Sequence, residues 1–140
     1  MNAAWDDRGY GPQTFRSLAA TRREFCRVWP WLKAAADHYG PTNTKDGVWD
    51  RIANGECQLW TEPKAAVVTT IKVYRDTALK EVHGWLARGD LDGILIIERS
   101  IEKWARDMGA ARLMIAGRRG WLRGLDGYRE LVTYMAKDLT

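Results

Sequence analysis

Cysteine is scarce in this chain of 140 residues. Cys26 and Cys57 are the only two, far apart, with neither a CxxC pair nor a secretory leader. That argues against a disulfide-stapled secreted scaffold and leaves two free thiols in a reducing, intracellular setting as the expectation. Histidine is equally sparse. His38 and His83 form no metal-ligand spacing, so no metal site is expected. No apolar run approaches the ~20 residues of a membrane span. The N-terminus carries Asp6 and Asp7 and lacks the apolar core of a signal peptide. Internal repeats and low-complexity stretches are absent as well.

Tryptophan is plentiful. Trp5, Trp29, Trp31, Trp49, Trp60, Trp85, Trp104 and Trp121 are spread along the chain, and the plain expectation is that they fill the core and interfaces. The length suits one domain with a sizeable core. A net charge of +4 permits an acidic partner, but positive and negative residues are mostly interleaved, as on a solvated surface.

The chain is organised around residues 65–117. Val67, Thr69, Ile71 and Val73 alternate with Val68, Thr70, Lys72 and Tyr74, and a second extended run covers 79–86. From Asp90 the period changes. Leu91, Ile94, Leu95, Ile97, Ile101, Trp104, Ala105 and Met108 recur at three- and four-residue steps, an amphipathic helix of about five turns. It stops at Gly109, and residues 112–116 read as a short buried strand. A hairpin, a crossover helix and a returning strand make a mixed α+β or α/β sheet with at least one parallel pair.

Around this centre the other elements follow. Residues 1–13 read as a flexible arm and 14–140 as a single domain. Thr14 can cap a helix to about Trp29. Pro30 reads as the first turn of a second helix, 31–39, because proline disrupts a helix interior. Asn43 or Thr44 caps a third helix, 45–53, closed by Asn54 and Gly55. Gln58, Leu59 and Trp60 form a short strand that enters an antiparallel meander. Four glycines between 117 and 128 limit that stretch to about one turn around Trp121 to Leu125. Leu131, Thr133 and Met135 alternate with Val132, Tyr134 and Ala136 in a last predicted strand.

Helices, three antiparallel strands, a helix, a strand, a short helix and a strand form an order that resembles a GNAT (GCN5-related N-acetyltransferase) domain. Val48, Trp49, Ile52, Gly55, Leu59 and Trp60 resemble the entry to the sheet in small GNAT-like proteins of tailed phages and prophages. Gly117, Arg118, Gly120, Trp121, Arg123, Leu125 and Tyr128 resemble the end of such proteins. The resemblance covers about residues 43–140; the first strand of the family is not evident before Thr14.

The resemblance implies an acyl-CoA site at the N-terminus of the long helix, where backbone N–H groups of a glycine-rich loop hold the pyrophosphate. The matching stretch supplies Leu86, Arg88, Gly89 and Gly93 as cofactor-binding candidates, with altered glycine spacing. Asp90 and Asp92 stand in the first turn. A carboxylate there takes the free donors as a cap and repels a diphosphate by ~1 kcal/mol or more. The loop therefore reads as degenerate and acyl-CoA is not expected to bind.

For catalysis, the resemblance implies an acid near Tyr128; a ring packed under the sheet is the alternative. Glu81 and His83 lie two apart on one strand face and are the best acid/base candidates; the commoner explanation of such a pair is a solvated face or cross-strand salt bridges. Arg118, Arg119, Arg123 and Arg129 gather around Trp121. They fit an acidic protein partner, a nucleic acid or a solvated loop.

The expected function is a non-catalytic phage or prophage accessory protein. It would act through contacts with another phage or host protein, or as a homo-oligomer, in the bacterial cytoplasm or on the virion. An acyl-CoA-dependent N-acyltransferase is the first alternative and a small basic nucleic-acid-binding protein the second. No membrane partner is expected.

Overall fold

The computed structural model describes Pro12 and residues 17–38, 40–117 and 120–140. Apart from Pro12, the predicted arm at 1–13 lies outside the described residues, as do Thr14, Arg118 and Arg119.

Helix α1, Leu18–Asp37, starts at Ser17, whose hydroxyl accepts the Ala20 amide at 3.1 Å. The predicted break at Pro30 does not occur: α1 runs through it without interruption. Pro30 is exposed and so is Cys26, so water can take the Cys26 carbonyl that the missing N–H leaves free. Phe25, Val28, Leu32 and Ala36 lie on the opposite stripe, buried against the sheet. Burying each of the larger ones contributes about 1.5–3 kcal/mol, enough to offset one lost hydrogen bond and the proline ring.

Helix α2, Lys45–Ala53, is capped by Thr44, whose hydroxyl accepts the Gly47 amide. Strands β1 (Cys57–Glu62), β2 (Ala65–Val73) and β3 (Lys80–Gly89) form the predicted meander. Helix α3, Leu91–Asp107, carries the strand β4, Arg112–Ile115, back parallel to β3. The sheet order is β1-β2-β3-β4. A last short helix, α4, spans Trp121–Gly124.

The sheet separates two apolar layers. On one face α3 packs Ile94, Ile97, Ile101 and Trp104 against Trp60, Val67 and Val82. On the other, α1 and α2 pack Phe25, Leu32 and Ile52 against Leu59, Val68 and Leu86. The buried indoles of Trp60 and Trp104 meet edge to face with centroids 5.4 Å apart. Trp29, Trp31, Trp49, Trp85 and Trp121 are half-buried at the margins. Both cysteines are free, Cys26 exposed and Cys57 buried; burial pushes the Cys57 thiol upward.

The predicted strand at 131–136 does not form. Residues 129–140 are exposed and pair with no strand among the described residues. Alternation alone selects two faces but supplies no neighbouring edge, and among the described residues β4 turns its outer edge to no other strand.

Candidate functional site

The sheet splits where β3 and β4 part. Their ladder runs from Glu81↔Arg112 to Gly84↔Ile115 and stops. β3 continues to Gly89, still paired with β2. A register shift at this point makes Trp85 an extra residue: Thr69 faces Gly84 and Val68 faces Leu86. Such a bulge bends a strand and re-aims its side chains. Val82 accordingly faces α3, whereas Leu86, four residues later, faces α1.

The divergence opens a groove of about 400 Å³. Residues 84–89 of β3 form one wall and residues 115–117 with Trp121 the other. The end of α1 and the following loop close it with His38, Thr42 and Asn43. Trp85 is held from α2 by the Arg51 guanidinium, 5.3 Å from the ring centroid. Along the groove, the side of β3 that faced β4 carries backbone N–H and C=O groups with no strand partner among the described residues. Among the described residues, His38 and Arg88 are the titratable side chains on its lining. The place of His38 on the groove had no signal in the sequence, because it comes only from the packing of α1 on the sheet.

The four cofactor-binding candidates divide. Leu86, Arg88 and Gly89 line the groove. Leu86 turns its side chain into the α1 layer and offers only backbone. Gly89 has φ +141°, and a Cβ there would stand 2.3 Å from the Ala65 Cα and the Lys64 carbonyl oxygen. Gly93 is buried, and its Cβ would stand 2.7 Å from the Ala65 Cβ. Both glycines let the α3 entrance pack on β2. Asp90 caps α3, accepting the Gly93 amide at 2.8 Å, while its own amide donates to Lys64. Asp92 follows in the first turn. The start of α3 thus spends a donor on its own carboxylate and presents two acidic groups where a diphosphate would sit.

The acid/base candidates lie away from the groove lining. Glu81 and His83 do share a face, with Oε1 and Nε2 2.8 Å apart. Glu81 is fully buried, however, and Arg112 on β4 donates to its other oxygen. Burial pushes its carboxyl up, but bonds from His83, Arg112 and Tyr74, with the Arg112 charge, more than reverse this and hold it below the ordinary range. This pairing ties β3 to β4 at the closed end of the split. Tyr128 donates to Glu98 of α3 at 3.2 Å. Burial, together with Glu98, pushes the Tyr128 hydroxyl far above its usual range. Burial likewise raises Glu98, as does Glu102 beside it. Both border a small apolar void of about 40 Å³ between α3 and the sheet.

Of the arginine cluster, Arg123 and Arg129 are exposed, and Trp121 is half-buried on the groove wall. Arg118 and Arg119 are outside the described residues. No described helix is long and apolar enough to cross a membrane.

No protein-family model and no curated protein matches the sequence. Solved structures do match. A probable acetyltransferase superposes with a TM-score of 0.60 at 10% identity, covering 84% of this chain and 92% of the other. A Trypanosoma brucei acetyltransferase superposes at 0.57 with 13% identity, over 82% of this chain and 94% of its own. The ribosomal-protein-alanine N-acetyltransferase of Brucella melitensis biovar Abortus 2308 gives 0.55 at 11% identity, over 83% and 93%. At such identities the likeness shows the fold alone: a mixed sheet, antiparallel and then parallel, of GNAT-like architecture.

Proposed function

We propose that the groove between β3 and β4 binds an acyl thioester and that the protein is a GNAT-type N-acyltransferase. The observation that carries this is the early end of the β3–β4 ladder at Gly84 and Ile115. An unpaired strand edge beside a groove of about 400 Å³ suits a linear ligand with amide groups, which can hydrogen-bond to it as an added strand would. A pantetheine arm has that chemistry. His38 lines the same groove and is the side chain there suited to take a proton from an acceptor amine. The likeness to three acetyltransferase structures supports the same reading.

The start of α3 fits the nucleotide end of acyl-CoA poorly, because Asp90 already holds the Gly93 amide. Affinity then rests on the arm. Calorimetry with acetyl-CoA and with acetyl-pantetheine tests this. Dissociation constants within a few-fold of each other are expected, with thiol release when an amine acceptor is added. No heat from either ligand at millimolar concentration rejects it.

A second reading is favoured by the engagement of Glu81 and Tyr128 in ion-pair and hydrogen-bond contacts away from the groove. Here the protein is a non-catalytic phage or prophage accessory. Arg123, Arg129 and Trp121, with Arg118 and Arg119, would meet an acidic protein partner, or else a nucleic acid. Recovery of the chain in purified virions, with no acyl transfer, would favour it. Nucleic-acid affinity that falls steeply with salt would instead favour the nucleic-acid partner.

A further inference from the structure

We infer that residues 131–136 of one copy pair as an added strand with the free edge of β4 in a second copy, so that two chains exchange these segments. This rests on the exposed segment and the sheet edge and is independent of the groove's ligand.

Two features of the same chain are each incomplete. Among the described residues, β4 bonds to β3 on one side and to no strand on the other. Residues 131–136 alternate as a strand does, yet join no strand ladder among the described residues. Large apolar side chains stand in water there: Leu131 is 46% exposed, Val132 57%, Tyr134 83% and Met135 91%. Single exposed apolar residues need no explanation, but a contiguous group of this size marks an interaction surface.

The departure point is fixed. Tyr128 is tied to Glu98 on α3, and Gly127, at φ +83°, makes the turn before it. Beyond that, residues 131–136 are exposed and belong to no helix or strand. The apolar stretch is bounded by Arg129 and Glu130 on one side and Lys137 and Asp138 on the other, which confines pairing to about one short strand, as flanking charges do.

Exchange completes both features at once. Each copy lends a strand and receives one, and the assembly closes on itself as a two-fold pair. Direct pairing of two β4 edges is the poorer solution, because it leaves Tyr134 and Met135 in water.

Light scattering on the full chain after size exclusion, at about 50 µM, tests this. The expected mass is twice 16.0 kDa. Thr133→Pro removes a backbone donor in the middle of the segment and Tyr134→Asp charges it. Both positions are exposed, so the fold should persist, as circular dichroism would show, while the mass falls by half. Hydrogen exchange gives a second measure: amides 131–136 should be protected at high concentration and lose protection on dilution. A monomeric mass for the unaltered chain overturns the inference. So does a doubled mass in both variants, or protection that does not depend on concentration.

Discussion

The Asp90 carboxylate accepts the Gly93 amide at 2.8 Å, across the first turn of the helix that would receive a diphosphate. This contact stabilises α3 and opposes an anion at the same place. Asp90→Asn keeps an oxygen acceptor for the cap while removing the charge. With Asp92→Asn added, acetyl-CoA should bind more tightly, by about fivefold per charge removed at ~1 kcal/mol each. Acetyl-pantetheine binding should not change. Calorimetry on the single and double variants measures both, and equal gains for the two ligands would contradict the electrostatic account.

Gly89→Ala should be among the most damaging single-methyl changes in the chain. Its φ of +141° disfavours any L side chain, and the new Cβ would overlap backbone atoms of Lys64 and Ala65 rather than a movable side chain. A loss of about 2–4 kcal/mol is expected. Thermal unfolding beside wild type reads it directly.

Glu81 makes stability depend on acid. Its folded-state pKa lies below the ordinary value of 4.5. The stabilisation is therefore complete above that value and is lost as pH falls through the folded-state pKa. Glu81→Gln should flatten the acid limb of a stability-against-pH curve. Arg112→Ala should be worse than Glu81→Gln at neutral pH, because it strands a buried carboxylate. A cost of about 2 kcal/mol is expected after discounting for the partial exposure of Arg112. Urea unfolding of both variants between pH 3 and 7 checks the order.

Tyr128→Phe separates a structural tyrosine from a catalytic one. The hydroxyl bonds to Glu98 and does not line the groove. The expected result is about 1 kcal/mol lost in stability with acyl transfer retained. A rate drop of a hundredfold with unchanged stability would restore Tyr128 as the acid.

His38→Ala should lower transfer while leaving acetyl-CoA affinity close to wild type, because His38 closes the groove from α1 and not from the strand that would hold the arm. Loss of rate and affinity together would assign it to donor binding.

Local pattern by itself determined much of this protein. The stripe from Leu91 to Met108 is α3, the alternation around Val67 is β2, and Asp90 was legible as a cap. These depend on residues a few positions apart, so short-range periodicity and hydrogen-bond chemistry suffice. Tertiary structure decided the rest. α1 continues through Pro30 because a sheet assembled from later residues buries its other face. Glu81 is a buried anchor because Arg112, on a strand that returns after α3, lands beside it. His38 enters the groove, and residues 131–136 fail to become a strand, for the same reason: neighbours distant along the chain determine what a side chain or a strand edge meets.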